Sequence, residues 1–80
     1  MFYGIFSYNL DMNKTINQRI KEIRLENNLN QSDFGKSLSV SQDTISLWEI
    51  GKSTPSAELI IEICNKYNVS ADYLLGLKEY

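Results

Sequence analysis

The chain has 80 residues, a formal net charge of -2, 42% hydrophobic and 22% charged residues, one cysteine and no histidine. That length suits one small domain, which buries only about 60% of its unfolded surface. One cysteine excludes an intrachain disulfide, and the lack of histidine argues against a zinc site and against a histidine-based catalytic triad. No enzyme activity, metal or cofactor is expected, and the acidic balance counts against nucleic acid unless the few cations are clustered.

Residues 1–14 form an N-terminal arm rich in aromatic and apolar side chains: Phe2, Tyr3, Ile5, Phe6, Tyr8 and Leu10. The arm lacks the basic flank and small-residue cleavage site of a signal peptide, and it is too short to span a bilayer. The cytoplasm is therefore the expected compartment. Two explanations of the arm stay open. Either translation starts at Met12, or the arm packs on the domain or across a dimer.

From Thr15 the pattern becomes helical. Ile16, Ile20 and Ile23 recur at helical spacing, with Arg19, Lys21, Glu22 and Glu26 placed elsewhere. Thr15 and Gln18 have capping-box spacing, and Asn27 or Asn28 can close the helix in a left-handed conformation. A short second helix follows, capped by Asn30, with Asp33 in its first turn and Phe34 and Leu38 toward the core. "SVS" turns the chain, and Ser41 caps a third helix that Gly51 ends. Ser56 opens a fourth helix with a stripe of Leu59, Ile60, Ile63, Cys64 and Tyr67. Cys64 reads as a small buried hydrophobe. Ser70 caps a last short helix holding Leu74 and Leu75. Alternating strand patterns are absent after Thr15, so the fold class expected is all-α, with roughly five short helices in a single domain.

The third helix has two faces. At about 100° per residue, Ile45 and Trp48 share one side. Asp43, Ser46, Leu47 and Ile50 lie opposite, flanked by Gln42 and Glu49. Short polar side chains near a helix start can reach base edges, and apolar ones can touch thymine methyls. Asn30 and Gln31, opening the preceding helix, could bond a phosphate. A plain surface helix with capping residues fits the same spacing.

The combination of Gln31 opening the second helix, the small residue Gly35, Ile45 and Trp48 inward, "WEIGK", "PS" and "DYLLG" resembles the helix-turn-helix domains of the lambda-type phage repressor and Cro family. That family includes many bacterial xenobiotic-response-element regulators. The resemblance spans 15–77, leaving 78–80 as a tail. It implies a compact five-helix DNA-binding domain acting as a homodimer, as a transcriptional regulator and repressor on a pseudo-palindromic operator in double-stranded DNA. It further implies base contacts from Gln42, Asp43, Ser46 and Leu47, phosphate contacts from Asn30, Gln31, Ser41 and Lys52, and an ion pair between Arg24 and Glu49. The dimer contact is expected from residues 73–80, the arm, or both.

The chain departs from the family pattern at three points. Ser39 stands where glycine is common in the turn. Asp43 is acidic where amides are common; it could accept from a cytosine amino group or merely complement the helix dipole. Arg24, Lys36 and Lys52 are the few cations near the expected DNA face, so non-specific affinity should be modest. The alternative reading is a protein-interaction module on the same fold, such as a toxin-binding antitoxin. A chain of 80 residues is expected to hold no separate effector domain, so regulation would act through oligomer state, proteolysis or a protein partner.

Overall fold

The computed structural model describes residues 15–78. They form five helices: α1 (Ile16–Glu26), α2 (Gln31–Ser37), α3 (Gln42–Glu49), α4 (Ala57–Tyr67) and α5 (Ala71–Leu74). No strand occurs among the described residues. The expectations for the arm and for the last two tail residues lie outside the described residues.

Each helix begins at a side-chain cap that local sequence dictates. A helix leaves its first N–H groups without intrahelical partners, and a short oxygen-bearing side chain can satisfy one of them. Thr15, Asn30, Ser41, Ser56 and Ser70 all do this. At α1 the box is reciprocal: Thr15 accepts from Gln18 N, and Thr15 N donates to Gln18 Oε1 at 2.8 Å.

The helix ends are equally local. Asn28 turns the chain after α1 with φ 58°, and Asn68 caps α4 with φ 56°. Gly51 follows α3 at φ 81°, where glycine carries no Cβ penalty. Ser39, between α2 and α3, sits at φ 60°, so the turn keeps its left-handed shape without the usual glycine. Ser39→Gly is expected to stabilise the domain by about 0.5–1 kcal/mol, by removing the left-handed penalty of a Cβ. A rise in the urea midpoint at unchanged slope measures it; an unchanged or lower midpoint contradicts the strain argument.

The core draws on every helix. Ile20 and Ile23 from α1, Phe34 from α2, Ile45 and Trp48 from α3, Ile63 from α4 and Leu74 from α5 are buried together with Leu38. Burial of each such side chain stabilises the fold by about 1.5–3 kcal/mol before chain entropy is counted. Leu59, Ile60, Cys64 and Tyr67 of the α4 stripe are half-buried and pack against this cluster. Burial pushes the Cys64 thiol above its ordinary pKa, as suits a packing residue.

Two expectations need correction. Arg19, placed with the polar residues of α1, is only 2% exposed. Its guanidinium lies over the Tyr73 ring of α5, 4.6 Å from the centroid, while Tyr73 Oη donates to Glu22 at 3.1 Å. An arginine can bury its stem and keep its charge against a ring face, so a helical wheel misplaces it. Leu75 is not inside α5: it caps the helix and is 45% exposed, because α5 spans only four residues.

Candidate nucleic-acid interface

Gly35 determines how α2 meets the turn before α3. An ideal Cβ at this position would lie 2.7 Å from the Val40 carbonyl oxygen and 3.3 Å from Ser41 backbone atoms. Val40 N donates to Gly35 O at 2.9 Å. The absent side chain therefore lets the turn close on α2, and the turn delivers Ser41 as the cap of α3. Ser41 Oγ accepts from Thr44 N at 3.1 Å and also hydrogen-bonds the Thr44 hydroxyl.

Ile45 and Trp48 anchor α3 in the core. On the other side Gln42, Asp43, Leu47 and Ile50 are exposed and Ser46 is half-buried. Leu47 is 43% and Ile50 64% exposed, so α3 presents a mixed polar and apolar surface outward, as its angular pattern predicts. Asp43, in the first turn of α3, sits where a carboxylate complements the helix dipole.

Arg24 and Glu49 tie this surface to α1. Arg24 Nε donates to Glu49 Oε2 at 2.6 Å and Arg24 Nη2 to Glu49 Oε1 at 3.0 Å, a two-pronged pair whose side chains are 10% and 4% exposed. A third nitrogen, Nη1, donates to Leu29 O at 2.9 Å. One guanidinium thus joins the end of α1, the turn before α2 and the end of α3. Burial alone would raise the Glu49 carboxyl pKa, but hydrogen bonds from Arg24 and Gln31, with the charges of Arg24 and Lys21, hold it below the ordinary range. The hydrogen bond to Glu49 raises the pKa of Arg24, against the opposing effect of burial.

The residues expected to contact phosphate lie at helix starts and at a loop. Asn30 accepts from Asp33 N at 2.7 Å through Oδ1, which leaves its amide nitrogen for other partners. Gln31 is half-buried, and its Nε2 donates to Glu49 Oε1 at 3.1 Å. Lys52 is exposed in the loop after α3. That loop is held from α1: Asn17 Nδ2 donates to Trp48 O at 2.5 Å and to Ser53 O at 3.2 Å. Asn17 escaped the sequence reading because its partners lie 31 and 36 positions away. Lys36 is exposed on α2.

An exposed α3 joined to a short capped α2 by a tight turn is the helix-turn-helix arrangement. The helix-turn-helix family model matches residues 20–74, and the chain belongs to that family. The chain is 38% identical over 61 residues to antitoxin PezA of Streptococcus pneumoniae serotype 4, covering 76% of this chain and 39% of the antitoxin. It is 31% identical over 65 residues to the transcriptional regulator ImmR of Bacillus subtilis strain 168, covering 81% of this chain and 51% of the regulator. It therefore spans about half of these relatives or less. Among solved structures, the P22 c2 repressor in complex with a synthetic operator superposes with a TM-score of 0.71 at 31% identity, covering 78% of this chain and 94% of the repressor chain. No helix of the described residues is long and apolar enough to cross a membrane.

Proposed function

We propose that residues 15–77 are a sequence-specific DNA-binding domain of a cytoplasmic transcriptional repressor, acting as a homodimer on a pseudo-palindromic operator without enzymatic activity. The observation that carries this reading is the outer face of α3: exposed Gln42, Asp43 and Leu47 with half-buried Ser46, on a helix anchored from behind by Ile45 and Trp48. The likeness to a repressor whose structure contains its operator supports it.

On this reading α3 enters the major groove. Gln42 reads a base edge, Asp43 and Ser46 offer polar contacts, and Leu47 meets a thymine methyl. Asn30, Gln31, Ser41 and Lys52 engage the backbone and set the register. One such domain makes too few base contacts for genomic discrimination, since each mismatch costs only about 1–3 kcal/mol. Two copies reading half-sites about 34–36 Å apart double the readout. The dimer contact comes from residues 73–80, from the arm, or from both.

Lys52→Ala tests the backbone half of this reading. It is expected to weaken binding to every duplex alike and to make the slope of log affinity against log salt shallower by about 1 per half-site, so about 2 for the dimer. An unchanged slope removes Lys52 from the interface.

The second reading, a protein-interaction module such as a toxin-binding antitoxin, draws on the exposed Ile50 and on the likeness to an antitoxin. A partner that buries Ile50 while duplex DNA goes unbound would favour it.

A further inference from the structure

The ion pair that holds the fold together and the glutamine assigned to phosphate share one carboxylate. Glu49 Oε1 accepts from Arg24 Nη2 at 3.0 Å and from Gln31 Nε2 at 3.1 Å. An ionised carboxylate only accepts hydrogen bonds, so it tolerates the Gln31 amide in one orientation, nitrogen inward. The flipped amide would set its carbonyl oxygen against the carboxylate. Nε2 carries two N–H groups, and the bond to Glu49 uses one. The other is left for an external acceptor, on a side chain that is half-buried and already bonded to Glu49. Glu49 cannot itself reach an anion usefully: it is negative, and its side chain is 4% exposed.

We propose that Glu49 is a positioning residue for DNA binding, fixing the Gln31 amide in its phosphate-binding orientation before DNA arrives. The inference rests on the DNA-binding reading above and adds to it a division of labour. Arg24 fixes Glu49, Glu49 fixes Gln31, and of these three only Gln31 touches phosphate. Its energetic basis is preorganisation: the rotamer freedom of a long side chain, otherwise lost on binding, is lost on folding instead. The expected gain is about twofold to tenfold in affinity per half-site.

The test compares four full-length proteins on one duplex selected from a random pool: wild type, Gln31→Ala, Glu49→Asp and the double variant. Aspartate keeps the charge beside Arg24 but shortens the reach toward Gln31. With two half-sites on the duplex, each single variant is expected to bind about fourfold to a hundredfold more weakly. The double variant should bind no more weakly than Gln31→Ala alone, because Glu49 has nothing left to position. Losses that multiply in the double variant would overturn the proposal, showing that Glu49 acts independently of Gln31. Urea unfolding separates the structural role, since the stability lost by Glu49→Asp should be alike with and without Gln31. Side-chain amide exchange by NMR decides the matter even if Glu49→Asp fails to fold. Slow exchange at Gln31 relative to exposed Gln42 in the wild type supports the ordered amide, and equal exchange refutes it. If wild-type protein prefers no duplex, the DNA-binding reading itself fails and takes this inference with it. That outcome shows in the wild type, before any variant is compared.

Discussion

Arg24→Ala will remove about 3 kcal/mol of stability, the low end for breaking a buried ion pair by deleting one partner. The low end applies because the Arg24 side chain is 10% exposed and water can partly rescue Glu49, itself 4% exposed. Three hydrogen bonds disappear together, two to Glu49 and one to Leu29 O. A domain of this size has only about 0.05–0.15 kcal/mol of stability per residue, so the loss is a large share of the total. The same pair sets an acid limb. Glu49 holds its proton less tightly folded than unfolded. Its contribution is therefore complete above the unfolded carboxyl pKa, about 4.3, and is lost as pH falls through the lower folded value. Urea midpoints measured from neutral pH down to about pH 3 should fall in wild type and fall less in Arg24→Ala. Parallel curves would show that the pair contributes nothing to acid stability.

Gly35→Val is the second large effect, an expected loss of about 2–3 kcal/mol from overpacking. The clash is with backbone, Val40 O at 2.7 Å from an ideal Cβ, so no rotamer change relieves it. The helix has to separate from the turn, and the turn carries the Ser41 cap of α3. DNA affinity should therefore fall even at temperatures where the variant is fully folded. A variant with a wild-type urea midpoint would mean that α2 and the turn sit further apart than the 2.7 Å approach to Val40 O implies.

Much of this architecture was legible because its causes are local. The five caps depend on residues within a turn of each helix start, whereas the left-handed Ser39 was marked only by the glycine common at that place in the family the sequence resembles. The two faces of α3 follow from angle alone, with Ile45 and Trp48 buried and Leu47 and Ile50 exposed. The features that were not legible depend on distant partners. Nothing near Arg19 announces that Tyr73 will cover it. Nothing near Asn17 announces that its amide will bond the carbonyls at the end of α3. Gln31 and Glu49 were each singled out, for different roles, and their hydrogen bond arises only from the way α2 crosses α3. Helical phase predicts burial well for apolar residues and poorly for long polar ones, whose stems and heads obey different solvents.

The central claim is that the exposed face of α3 reads base edges, and Gln42 is its most direct test. Wild type and Gln42→Ala should be titrated against a duplex selected from a random pool and against random duplex, across a salt series. Wild type is expected to bind the selected duplex at least about 1,000-fold more tightly than random duplex at physiological salt. Gln42→Ala should lower that ratio by about tenfold or more and leave random-duplex binding unchanged, since a lost base contact costs about 1–3 kcal/mol of discrimination. An unchanged ratio would contradict base reading by Gln42, and a wild-type protein with no preference at any salt concentration would contradict the account as a whole.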